Sequence, residues 1–236
     1  MILTFIMKLT HFFKAACLFG ALVSASPCFS AGGRAGADTT RKAGLTLVFT
    51  DNSGGIDAVV KQKLIDAFFK VYPEEMKRFN PNASREVIFA IDTAYKGVAA
   101  TSGHYVRYNP AWFIKHPEDI DVVTHEVMHI VQAYGDNHVP GWLTEGIADY
   151  ARNQYGVNNV AAGWKLTDYK AGQSYTNAYR ITARFLVWVE KNKNPEIVNK
   201  MDSAMRAGTY TADMWKQLCG KPIDELWQDY SANPVI

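Results

Sequence analysis

The chain has 236 residues, 48% of them hydrophobic, with 25 Lys and Arg against 23 Asp and Glu. That length and apolar content suit one globular domain with a core of its own. A net charge of +2 and three cysteines give no bulk electrostatic case for nucleic acid and no disulfide framework to hold the fold.

In chain order, the first 30 residues stand apart. Lys8 and Lys14 precede an apolar run over 15–25, followed by small residues and Pro27, the layout of a secretory signal peptide with cleavage after Ala25 or Ser30. The run is too short to span a bilayer comfortably, so the expected destination is the exterior or periplasm, with no stable membrane association. A lipid anchor on Cys28 is the alternative, for which Ala25-Ser-Pro-Cys28 makes a poor lipobox. Removing residues 1–30 takes two lysines and no acids, so the mature chain carries no net formal charge and no attraction for nucleic acid or anionic lipid.

Residues 31–43 are small, polar and Gly-rich and read as a flexible lead-in, leaving 44–236 as a single domain. Residues 45–50 alternate and are rich in β-formers, a first strand. Ile56, Val59, Val60, Leu64, Phe68 and Val71 mark a helix expected to end before Pro73. The near-continuous apolar run over 87–92 suits a central strand. Residues 104–108 alternate more evenly and suit a third, more exposed strand. Further helices are expected over 143–155, stopped by Gly156, over 176–192, and in three shorter segments, 195–206, 211–218 and 222–230. A small sheet on the N-terminal side and a helical C-terminal half make an α+β fold.

Between sheet and helices lies the stretch with chemistry. Asp121-Val-Val-Thr-His125-Glu126-Val-Met-His129 contains H-E-x-x-H. Two histidines four apart on a helix lie one turn apart on one face, so both imidazoles reach a single ion. Glu126 then sits beside that ion, where it can take a proton from activated water. Pro117, Glu118 and Asp119 form a helix start, Ile120, Val123, Val127, Ile130 and Tyr134 give a buried flank, and Gly135 is a ready stop.

Catalytic zinc takes three protein ligands and keeps a place for water. Asp136, His138, Glu145 and Asp149 are the downstream candidates for the third. Glu145-Gly-Ile-Ala-Asp149 sets two carboxylates on one helix face, with Gly146 allowing a close helix approach. In this reading Glu145 binds the metal and Asp149 accepts the free N–H of a ligating histidine. His138 is the rival ligand, and an ordinary pairing of Asp149 with Arg152 is the rival role for that carboxylate. The metzincin form needs Gly at 132 and His at 135, where this chain has Gln132 and Gly135, and is excluded.

Thr124-His-Glu-Val-Met-His-Ile-Val-Gln132 followed by Pro140-Gly-Trp-Leu-Thr-Glu-Gly-Ile-Ala-Asp-Tyr-Ala-Arg152 resembles the basic secretory protein family of plants and bacteria. The resemblance takes in Asp92-Thr-Ala-Tyr-Lys-Gly-Val-Ala-Ala100, Tyr179-Arg-Ile-Thr-Ala-Arg-Phe-Leu186 and Gly220-Lys-Pro-Ile-Asp-Glu-Leu-Trp-Gln-Asp-Tyr230. It implies a zincin fold of the gluzincin type, with His125, His129 and Glu145 as zinc ligands, Glu126 as base and a peptide or protein as substrate. Tyr179 opens the Tyr-x-x-Thr-Ala-Arg stretch of the family pattern and is the expected oxyanion donor, against an ordinary reading as a buried aromatic. Tyr175 and His138 are weaker candidates for that role. By analogy with zincins, substrate is expected to add as a strand along 104–108. Arg180 and Arg184, one turn apart, suit either a substrate carboxylate or structural ion pairs. Two other readings stand beside peptide hydrolysis: an amidase or aminopeptidase acting on cell-wall peptides, and a secreted binding protein retaining a metal site.

Overall fold

A computed structural model describes residues 36–51 and 55–236. The expected signal peptide and Cys28 lie outside these residues. No described helix is long and apolar enough to cross a membrane.

The fold is α+β. Five strands, β1 (Ala37–Lys42), β2 (Leu45–Asp51), β3 (Glu86–Ile91), β4 (Ala99–Ser102) and β5 (Tyr105–Tyr108), form one mixed sheet in the order β1-β2-β3-β5-β4. The β2–β3 and β3–β5 pairs are parallel and the two outer pairs antiparallel. Leu45, Leu47 and Phe49 of β2 point alternately inward, while β3 is buried along most of its length, as its apolar run requires at the centre of the sheet.

Helix α1 (Ala58–Arg78) carries the crossover from β2 to β3. Asp57 caps it by accepting from the Val59 and Val60 N–H groups. Its inner face stacks Phe68 on Tyr72, with ring centroids 5.0 Å apart, and sets Phe68 edge-on to Phe89 at 5.5 Å. Each such buried ring contributes roughly 1.5–3 kcal/mol. The helix does not stop before Pro73; it runs on because Tyr72, Met76 and Phe79 prolong the apolar stripe, and their burial outweighs one lost backbone bond. Glu75 on the same stripe is fully buried without a hydrogen bond, and burial raises its pKa well above the usual carboxylate range, so it is carried neutral.

Three further departures from the sequence reading bear on the site. Residues 37–42, expected within the lead-in, are strand β1, whose register against β2 runs from Ala37–Thr50 to Lys42–Leu45. The strand over 105–108 is not an edge: β4, four residues of Ala, Thr and Ser, covers it and is itself the outer strand. A short helix α2 (Pro110–Lys115), capped by Asn109, also escaped the sequence reading.

The H-E-x-x-H residues lie on α3 (Val122–Gln132), which packs against α1 and against β4. It starts later than Pro117 because the acids before it bind elsewhere. Glu118 pairs with Lys63, Asp119 with Arg152. Asp121 accepts from the Val157 and Asn158 N–H groups at 2.7 and 2.5 Å. Its exit is through Ala133, left-handed at φ 43°, ahead of the expected Gly135. Helix α4 (Gly141–Tyr155) follows and packs on α3. Gly156 does cap it, with φ −53°: what demands glycine there is space, since a Cβ would sit 2.6 Å from the Arg152 carbonyl oxygen.

The helix expected over 176–192 is broken. A 3₁₀ turn (Tyr175–Asn177) is joined to α5 (Tyr179–Asn192) through two left-handed non-glycine residues, Ala178 (φ 63°) and Tyr179 (φ 48°). Helices α6 (Ile197–Arg206), α7 (Asp213–Cys219) and α8 (Ile223–Ala232) complete the C-terminal half.

Candidate metal centre and cleft

Helical spacing on α3 puts the two imidazoles one turn apart, with Nε2 atoms 3.3 Å from each other. Helix α4 brings Glu145 across from them: one carboxylate oxygen lies 3.2 Å from His125 Nε2 and 3.7 Å from His129 Nε2. All three donors fall within 4.8 Å of one another, and among the described residues no other His, Cys, Asp and Glu group does so. Tetrahedral bonds of about 2.0–2.1 Å separate donors by roughly 3.3 Å, so this set fits zinc.

The outer nitrogens are engaged. His125 Nδ1 lies 2.8 Å from Asp149 Oδ1, as expected from the position of Asp149 one turn beyond Glu145. His129 Nδ1 lies 2.7 Å from the side-chain oxygen of Gln132, whose amide nitrogen donates to the Thr144 carbonyl at 2.9 Å. That second bond fixes the amide so that its oxygen faces the ring. Both imidazoles therefore hold a hydrogen on Nδ1 and turn Nε2, the atom a metal would take, toward Glu145. From the sequence, Gln132 closes the stretch that resembles the family and breaks a metzincin pattern, and no role at the metal is assigned to it. The spacing i, i+3 from His129 was the available signal for its role. The Gln132→Ala protein is expected to bind zinc about 10–100-fold more weakly, read by competition with a chromogenic chelator. Unchanged affinity would show that Gln132 does not support His129.

Burial works against a charged imidazole, yet the carboxylates of Asp149 and Glu145 outweigh it and hold His125 up to about 10. Burial also opposes an ionised Glu145, and the two imidazoles override that and keep its carboxyl well below the usual range. The pocket thus holds anionic charge against a proton that a divalent cation can replace.

Glu126 is buried, 7% exposed, and Thr101 on β4 reaches its Oε2 at 2.6 Å through the hydroxyl. The same hydroxyl lies 3.0 Å from the Glu126 carbonyl, so β4 is tied to α3 at the site itself. Thr101 was not legible because β4 was not.

The rival assignments part company with the structure. His138 is exposed and stands outside the donor set. Arg152 pairs with Asp119, leaving Asp149 to His125. Gly146 does permit a close helix approach, but to α5: a Cβ there would lie 2.2 Å from Thr182 Cγ2. Tyr175 is held by Asp224 at 2.8 Å and packs against Trp142. Tyr179 is not a buried aromatic. It is 54% exposed, with its ring parallel to that of His125, centroids 6.1 Å apart. The charge of Glu145 raises its phenol pKa, so at neutral pH it remains an O–H donor. Arg184 donates to the Pro234 carbonyl and is structural.

His125, His129, Glu145 and Glu126 line a cleft of about 930 Å³ together with Thr101, Tyr179, Trp164 and Arg180.

The sequence model of the family described as "Peptidase of plants and bacteria" matches residues 52–230. No curated protein is similar to the chain by sequence. Among solved structures, an M1 zinc metallopeptidase from Deinococcus radiodurans is similar at 11% identity and a TM-score of 0.50, over 85% of this chain and 51% of that one. A mutant M1 zinc metallopeptidase from Deinococcus radiodurans bound to a Tyr-Ser-Ala substrate is similar at 13% identity and a TM-score of 0.48, over 85% and 52%. The chain spans about half the length of these enzymes, and at 11% identity the likeness to the first concerns the fold alone.

Proposed function

The chain belongs to the family of peptidases of plants and bacteria, and from that premise we propose that it is an exported zinc metallopeptidase that hydrolyses peptide bonds with water. The observation that carries this reading is the convergence of His125, His129 and Glu145 donors within 4.8 Å, in a cleft that Glu126 also lines. Zinc held by those three residues supplies Lewis acidity and a water nucleophile at neutral pH.

The side chains do the rest. Glu126 is the general base: with Oε2 occupied by the Thr101 hydroxyl, Oε1 takes the proton of the attacking water and passes it to the leaving amine. Asp149 and Gln132 keep both Nε2 lone pairs aimed at one point. Tyr179 donates its O–H to the oxyanion of the tetrahedral intermediate. The peptide lies extended along the free edge of β4, adding a strand to the sheet, and Thr101 marks where the scissile bond passes Glu126.

The test is a peptide library, blocked and unblocked at the amino end, incubated with the zinc-loaded protein and read by mass spectrometry. Cleavage should stop on adding a zinc chelator and return with zinc. Cleavage indifferent to the chelator, or none in either library, defeats the proposal, and cleavage confined to unblocked peptides would make the enzyme an aminopeptidase.

A further inference from the structure

Beyond Tyr179 the cleft opens into a second cavity of about 240 Å³, and the two share Trp112, Asp119, Trp164 and Arg180. The charges at this end cancel in pairs, with one exception. Asp119 engages Arg152 with one oxygen and Trp112 Nε1, at 2.8 Å, with the other. Glu118 is held by Lys63 at 2.8 and 2.9 Å and by Asn158 at 3.0 Å. Arg152, already paired, lies over the Trp164 ring at 4.5 Å.

Arg180 is the exception. Its guanidinium lies 5.9 Å from the centroid of the same Trp164 ring and donates one long bond, 3.5 Å, to the Lys165 carbonyl. No carboxylate among the described residues pairs with it. It follows Tyr179 directly, so the left-handed joint that turns the phenol over His125 also sets Arg180 at the wall of the cleft. Arg180 is exposed and lines both cavities beside the Trp164 indole, and of its five N–H donors one makes that single long bond.

We propose that this end of the cleft is a subsite for a carboxylate of the bound peptide, received by Arg180 beside Trp164. The identity of the ligand as a peptide rests on the peptidase reading; the charge preference does not. A guanidinium fork matches a carboxylate with two parallel bonds, which a lysine cannot reproduce. Arg180 is exposed, so the two parallel bonds of the fork, rather than exclusion of water, carry the preference. The carboxylate has two sources, an Asp or Glu side chain within the peptide or the peptide's own C-terminus.

Random hexapeptides, one set amidated and one with free C-termini, are selected on immobilised, zinc-loaded Glu126→Gln protein, which retains peptides without turning them over. Asp and Glu should be enriched at one position of the amidated set if the source is a side chain. Free acids should outcompete amides if it is the C-terminus. The double variant carrying Arg180→Gln should lose that enrichment, with roughly tenfold weaker binding of the selected peptides and no change for neutral ones. Arg180→Lys, which keeps the charge without the fork, should fall between. Selection indifferent to charge, the same peptides chosen without Arg180, or no peptide retained at all would overturn the proposal. If the acid preference depends on Arg180 but wild-type protein cleaves none of the selected peptides, the subsite stands and the peptidase reading falls.

Discussion

The Glu126→Gln protein is expected to keep its fold and its zinc and to lose about 10²–10⁴ of kcat/KM on every peptide the native protein cleaves. The substitution is nearly isosteric. Its side-chain oxygen can still accept the Thr101 hydroxyl, so the tie between β4 and α3 at 2.6 Å survives. What disappears is the capacity to take a proton at the other position, since an amide nitrogen is no base. Zinc content measured alongside the rates separates this loss from a damaged site. A variant within tenfold of native, equally loaded with zinc, would remove Glu126 from the role of base and transfer the search to another carboxylate of the cleft.

Removing the carboxylate from α4 has the other large effect. Glu145→Ala should cost more zinc affinity than the roughly 10–100-fold that follows loss of an outer partner such as Gln132. The protein should then recover little or no metal from dilute zinc, by elemental analysis. Protons give a second readout. In the metal-free native site His125 is held up to about 10 by Asp149 and Glu145. At pH 7 it is therefore protonated, and zinc must displace that proton. Affinity for zinc should rise with pH, by about tenfold per unit for one displaced proton, and titrations in buffers of different ionisation enthalpy should show the proton leaving. The sign follows from a raised pKa on a ligand: below it the proton competes, above it the competition ends. Glu145→Ala removes one of the two carboxylates responsible, so the dependence should flatten near the top of that range. An affinity flat with pH in the native protein would contradict the inferred state of His125.

The centre of the site was legible because helix geometry is rigid. Once His125 and His129 share a helix, 3.6 residues per turn leave little freedom, and Glu145 and Asp149 share a face of the next helix by the same rule; the preference for Glu145 over His138 came from the motif. What surrounds them was less so, for three reasons. Acids that look like a helix start, Glu118 and Asp119, were drawn into ion pairs with Lys63 and Arg152, partners far away in sequence. Strand β4 is four small residues, too short for any periodicity, so the edge of the sheet was placed one strand too far in. The break before α5 depends on Ala178 and Tyr179 in a left-handed conformation that such residues rarely adopt and no pattern announces. Pro73 misled in the opposite sense, because a proline ends a helix only where packing does not hold the next turn in place.

The bonds from Asp121 to the backbone of Val157 and Asn158, with the pairing of Asp119 and Arg152, clamp the approach to α3 onto the far end of α4. The two ligand-bearing helices are thereby one block whether or not an ion stands between them. Small zinc domains are assembled by their metal and collapse without it; here the cage is a mould cast by the rest of the molecule. Stripping the ion should silence the protein while leaving its circular dichroism intact, and refilling should be simple exchange with no refolding phase.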